Sequence, residues 1–248
     1  MTLTLLKKEL SSHKNKEKAI ILQGFFKTKK GEYGEGDIFL GLAVPLQRSI
    51  AKKYPELTLS ELQELLESKI HEERLSALLI LVQKLDSAKK QNNSQLQKEI
   101  VDFYLANTEH INNWDLVDLS SHEILGNYLL EHKKERKVLY LLAKSKKKGR
   151  NNLTWLWEKR IAIVATYSLI KTGEFGDTLK ISKLLLSEEH DLLHKAVGWM
   201  LREVGKKAIT LLESFLEENY KKMPRTTIRY AIERMSVEKK DYFLKLGK

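Results

Sequence analysis

The chain has 248 residues, no cysteine, only three prolines and a net charge of +11. Without thiols there is no disulfide framework, iron–sulfur cluster, thiolate zinc site or cysteine nucleophile. With 42% apolar and 31% charged residues the disordered and collagen-like classes are excluded. No apolar run approaches the ~20 residues of a membrane span. The best stretch, residues 38–46, is short and broken by Gly41. Lys7, Lys8 and Glu9 stand where a leader would need an apolar core, so no leader is expected and the protein is placed in the cytoplasm.

In chain order, residues 1–30 read either as a capping helix or as a mobile arm. Gly31-Glu-Tyr-Gly34-Glu-Gly36-Asp37 reads as a turn. It lacks the G-x-G-x-x-G spacing, and its carboxylates would repel a phosphate. Helical periodicity then dominates. It predicts helices over Leu59–Ser68, His71–Leu85, Gln95–Asn107, Asn113–Leu130, Lys134–Lys144, Trp157–Thr172, Asp177–Leu186, Asp191–Val204, Ala208–Tyr220 and Arg225–Met235. No segment alternates with period two between hairpin turns, so the fold is read as all-α.

The helices repeat a pattern of a charged residue followed by small and aliphatic ones. Examples are Arg74-Leu-Ser-Ala, Arg160-Ile-Ala-Ile, Lys195-Ala-Val-Gly and Arg229-Tyr-Ala-Ile. With Asp118 included, the spacings from Arg74 to Arg229 are 44, 42, 35 and 34 residues. Two-helix HEAT or armadillo repeats run at about 40–47 residues. The expectation is one domain over 1–248, a superhelical solenoid of HEAT-like two-helix repeats whose inner helices line a concave basic groove. The drift in spacing also fits an irregular helical bundle.

Charge is segregated. Residues 1–30 carry +6, residues 133–160 carry +9 and residues 220–248 carry +6, leaving the rest of the chain at −10. That pattern points to a polyanion-binding face, or else to solvated lysine-rich loops.

Candidate chemistry centres on tryptophans. Trp114 and Asp118 are at i and i+4 and share a helix face, whereas Asp115 points elsewhere. An indole beside a carboxylate suits a cationic, ring-shaped ligand. The same residues also fit a core tryptophan with Asp118 paired to Arg160. Trp199 lies three residues before Arg202 and follows Gly198, a residue costing about 1 kcal/mol in a helix unless something approaches closely. Trp157 and Arg160 repeat the i, i+3 theme, with Trp157 better suited to the core. Alternating aromatics and cations can stack bases and neutralise phosphates. His190 and His194 have metal-pair spacing but no evident third ligand, and no metal or cofactor is expected.

Several segments, taken in order, resemble a known family. They are Phe39-Leu-Gly41-Leu-Ala-Val-Pro45-Leu-Gln-Arg48, Asn113-Trp114-Asp115-Leu-Val-Asp118, Trp157-Glu-Lys-Arg160-Ile-Ala-Ile163, His194-Lys-Ala-Val-Gly198-Trp199-Met-Leu-Arg202-Glu203 and Met223-Pro-Arg225-Thr-Thr-Ile-Arg229-Tyr-Ala-Ile232. From about Gly36 to about Glu233 the chain resembles the AlkD-like DNA alkylation repair enzymes, HEAT-like-repeat DNA glycosylases.

The resemblance implies excision of cationic alkylated purines, such as 3-methyladenine and 7-methylguanine, from duplex DNA without base extrusion. It implies catalytic roles for Asp118, Trp114 and Trp199 and a DNA contact at Arg160. Arg202, Arg229, Lys146, Lys147 and Lys148 are added as candidate backbone contacts. Ala43 and Val44 depart from polar residues that some members carry, and Lys146–Thr154 looks like a basic insertion. A monomer without an obligate protein partner is expected. The competing reading is a non-catalytic DNA-binding or protein-scaffold paralogue.

Overall fold

The computed structural model describes residues 2–246; Lys248, counted in the last basic window, lies outside them. Among the described residues the chain is all-helical, consistent with a helical solenoid of repeats. An isolated parallel bridge joins Ile38 and Ile70. The chain forms two compact units. One comprises Met1–Ser120 and Lys147–Trp157, the other Ser121–Lys146 and Glu158–Lys248.

The first unit contains α1 (Thr2–Ser12), α2 (Lys16–Phe25), α3 (Val44–Ala51), α4 (Leu59–Leu66), α5 (His71–Lys90), α6 (Ser94–Ala106) and α7 (Trp114–Ser121). Residues 2–12 and 16–25 are thus helical. In α1, Leu6 and Leu10 sit one turn apart and are fully buried where the helix packs on α3 and α5. Asn15 caps α2 by accepting from Lys18 N, and Thr58 with Glu61 forms a capping box at α4. α5 runs about five turns and is buried nearly all round in its first three, against α3, α4 and α6. Its Glu72 carboxylate is buried but not orphaned. It accepts from the backbone N–H groups of Leu40, Gly41 and Leu42 at 2.9, 2.8 and 3.2 Å. Gly41 has φ +92°, and a Cβ there would lie 2.2 Å from Asn15 O. The motif glycine is therefore required by α2 lying across it.

The second unit contains α8 (Asn127–Glu131), α9 (Lys137–Ala143), most of α10 (Thr154–Ala165), α11 (Tyr167–Lys171), α12 (Gly176–Leu185), α13 (Asp191–Lys207), α14 (Ile209–Asn219), α15 (Arg225–Ala231) and α16 (Val237–Leu246). The helix predicted over 113–130 is interrupted by a π-helical turn at His122–Gly126. Ser168 explains it, donating to the carbonyl of His122 at 2.7 Å and to Asn127 Oδ1 at 2.9 Å. An outside hydroxyl inserted into the helical ladder widens the turn. The helix predicted over 157–172 breaks at Thr166, whose hydroxyl bonds back to Ile163 O at 2.6 Å.

α13 packs on α12, α14 and α15. The close approach expected at Gly198 is made by α15. A Cβ on Gly198 would lie 2.5 Å from Tyr230 Cβ and 2.7 Å from Thr227 O. Both are parts of a packed helix that cannot swing aside. Gly198→Ala is expected to cost about 1–3 kcal/mol, seen as a lower Tm in thermal unfolding; an unchanged Tm would show that α15 yields.

Candidate active site and basic surface

α7 opens at Asn113, which is buried and accepts from Trp114 N at 2.9 Å. One turn separates Trp114 from Asp118. Both are half-buried, while Asp115, Leu116 and Val117 between them are buried. Trp114 stacks on Phe26 (5.1 Å, 21°) and meets Phe25 edge-on (5.7 Å, 78°). Phe26 in turn stacks on Phe39. Aromatic pairs of this kind add about 0.5–1.5 kcal/mol beyond their buried area. Asp118 also lies near Tyr104 of α6. Burial and that charge push the Tyr104 phenol up, against its 3.0 Å hydrogen bond with Ser120.

Behind Trp114 is a buried ionic cluster that sequence reasoning missed. Asp37, the end of the glycine turn, is ion-paired to Arg74 and lies 3.3 Å from His71 Nδ1. His71 Nε2 is 2.7 Å from Asp115, and Arg150 is 3.4 Å from Asp37. Burial opposes charge on both Asp37 and His71. Neighbours outweigh it in each case. His71, Arg74 and Arg150 hold Asp37 below its ordinary pKa, and Asp115 with Asp37 holds His71 above its own. Both imidazole nitrogens face carboxylates, so the imidazolium suits the site. The one available signal was His71-x-x-Arg74 at the start of a helix, an i, i+3 pair facing a turn that ends in a lone Asp.

The second unit holds the remaining candidates. Trp199 on α13 is half-buried, with Tyr167 at 6.1 Å. Tyr167 also meets His122 of the π turn edge-on (5.3 Å), and Lys171 Nζ lies 5.3 Å above its ring. His122 and Tyr167 carried no sequence signal separable from ordinary core residues. Arg160 is buried and donates to the carbonyl of Leu192 at the start of α13. Arg202 is held by Glu233 and by Glu203, which Lys206 shares. Arg229, on α15, is exposed, and its guanidinium makes no hydrogen bond or ion pair among the described residues. Lys146, Lys147 and Lys148 are all exposed, the first in the second unit and the other two in the first. Trp157 is buried against Tyr33. His190 Nδ1 accepts from Leu192 N at 3.2 Å, and burial keeps its pKa low. His194 Nε2 is 2.6 Å from the Glu188 carbonyl. Each thus uses a ring nitrogen within the fold. No group of three or more metal-ligating His, Asp or Glu side chains occurs among the described residues.

The cluster carries a pH dependence. A raised His71 pKa adds stability that is complete below about 6.5 and is lost as pH rises through the folded-state value. The lowered Asp37 pKa adds stability lost only as pH falls through its folded-state value. Unfolding in urea at rising pH should therefore show declining stability above pH ~6.5, and the decline should be smaller in His71→Gln. Parallel pH profiles for the two proteins would refute the assignment.

A family model described as DNA alkylation repair enzyme matches residues 6–235. A solved structure described as a predicted DNA alkylation repair enzyme from Enterococcus faecalis shares the fold at TM-score 0.69. It is 18% identical, and the match covers 91% of this chain and 98% of that one. No curated protein sequence matches the chain. No helix among the described residues is long and apolar enough to cross a membrane. By the family match over nearly its whole length, the chain belongs to the DNA alkylation repair enzyme family.

Proposed function

We propose that the protein is a DNA glycosylase that removes cationic N-alkylated purines, such as 3-methyladenine and 7-methylguanine, from duplex DNA. The observation that carries this reading is the pair on α7. Trp114 is braced from behind by Phe26, and Asp118 sits one turn on, half-buried on the helix. Family membership supplies the damage class.

An alkylated purine is already a cationic leaving group and needs no general acid, unlike a glycosidic oxygen. Bond breaking develops oxocarbenium character on the deoxyribose. In this reading the Asp118 carboxylate stabilises that charge and orients the attacking water. Trp114 packs against the lesion and its sugar, and Trp199 gives the second unit its own aromatic contact with the duplex. The helical repeats hold the duplex through their basic side chains. Arg229 and Lys146, Lys147 and Lys148 contact phosphates directly. Arg202 exchanges Glu233 for a phosphate, and Arg160 contributes its charge while anchored to Leu192. The protein works as a cytoplasmic monomer, without cofactor or metal.

The test is release of free 7-methylguanine and 3-methyladenine from methylated duplex DNA. Asp118→Asn should fold as the parent does and lose about 10²–10³ in rate, the scale of removing one preorganised electrostatic contact. Trp114→Ala should also lose rate. Salt-sensitive DNA binding by the parent with no base release would overturn the assignment for these lesions and favour a DNA-binding paralogue.

A further inference from the structure

The lysine run that the family resemblance leaves without a role is a built loop. Gly149 has φ +48° and ψ −145°, and Asn151 and Asn152 have φ +53° and +57°. Left-handed backbone is open to glycine and tolerated by asparagine. The sequence Gly149-Arg-Asn-Asn152 thus places those residues where the shape requires them. A Cβ on Gly149 would lie 2.2 Å from Thr154 Oγ1. The backbone N–H groups of Thr154 and Trp155 donate to the carbonyls of Lys148 and Lys147 at 3.0 and 2.7 Å. Trp155 Nε1 donates to Asn152 O at 3.1 Å.

Two side chains then fasten the loop to the glycine turn. Asn151 Nδ2 donates to Glu35 O at 3.0 Å, and Arg150 pairs with the buried carboxylate of Asp37. Solvated lysines would need none of these fastenings. Lys147 and Lys148 stand exposed on this frame. The carboxylate that holds Arg150 also holds His71, which holds Asp115, the residue next to Trp114.

We propose that residues 147–152 form a preordered phosphate-binding arm for the nucleic-acid backbone, with Arg150 as its positioning residue through Asp37. The proposal rests on the nucleic-acid reading above and deepens it. Lys147 and Lys148 meet the phosphates, and Arg150 stays on Asp37. Ordering entropy is spent in folding rather than in binding. Because Asp37 also braces α7 through His71, the arm and Trp114 take their positions from one anchor.

The experiment is binding of undamaged duplex DNA by the full chain, measured against salt. Lys147→Ala/Lys148→Ala should flatten the salt dependence by about 0.9 in slope for each phosphate that is no longer neutralised. Arg150→Gln should weaken binding about three- to tenfold with the slope unchanged, and trypsin should cut faster after Lys147 and Lys148. Arg150→Lys, which keeps a charge for Asp37, should restore part of the affinity. Circular dichroism melts establish that each variant is folded at the assay temperature. A slope reduced by about 0.9 in Arg150→Gln would make Arg150 a phosphate ligand and overturn the positioning role. Parental affinity in Arg150→Gln, or a parental slope in the double lysine variant, would overturn the arm. Base release from methylated DNA separates the two readings. Its absence from the parent defeats the glycosylase while these slopes stand, and its presence beside parental binding by the variants defeats only the arm.

Discussion

Asp37 keeps an ionised carboxylate where water does not reach, and the first unit is arranged around that constraint. An isolated buried carboxylate is too costly to persist charged. Here Arg74 and His71 meet its Oδ2, and Arg150 and Asn112 Nδ2 each lie 3.4 Å from its Oδ1. The partners come from three separate pieces of chain. Arg74 and His71 come from α5, Asn112 from the segment before α7, and Arg150 from the lysine loop. Arg74 also donates to Ser68 O at 2.8 Å, tying the segment after α4 to the start of α5. Removing one member of a buried pair generally costs about 3–5 kcal/mol, because the other charge remains. The turn, α5, α7 and the loop therefore share a single electrostatic fixing point.

The ionic cluster and the aromatic layer are one construction. Phe39 stacks on the His71 ring at 4.4 Å and Phe26 lies 5.2 Å from it, while Phe26 also stacks on Trp114. An imidazolium against aromatic faces gains cation–π attraction. Displacing His71 would therefore disturb both the carboxylates and the ring stack that braces Trp114. Phe25 remains 60% exposed beside Trp114, so the wall of the candidate site facing solvent is aromatic as well.

Much of this was legible in sequence. The 3.6-residue periodicity located the long helices, because their apolar stripes are set by burial that any stacked helix needs. It located their interruptions poorly. The π turn at 122–126 depends on Ser168, a side chain 46 residues on from His122, and the break at Thr166 on a local hydroxyl. Trp114 and Asp118 were legible because i, i+4 geometry is local. The Asp37 cluster was not, since its members span residues 37 to 150 and only tertiary packing brings them together. The arginines show the same limit. From sequence, Arg160, Arg202 and Arg229 share the same expected role at phosphates, whereas folding buries the first, ion-pairs the second with Glu233 and leaves the third exposed.

Asp115 and Asp118 show how little separation in sequence is needed to divide roles. They stand three residues apart on α7, too few for a full turn. Asp115 is turned inward, where His71 neutralises it and fixes the helix. Asp118 stays half-buried in the turn that carries Trp114. A carboxylate that is to stabilise developing positive charge must be held in a fixed position. Asp115 is committed to the buried cluster through His71. That ion pair fixes the helix bearing Asp118 and so meets the requirement for its neighbour. The structural carboxylate and the proposed catalytic one are thus complementary parts of a single helical turn.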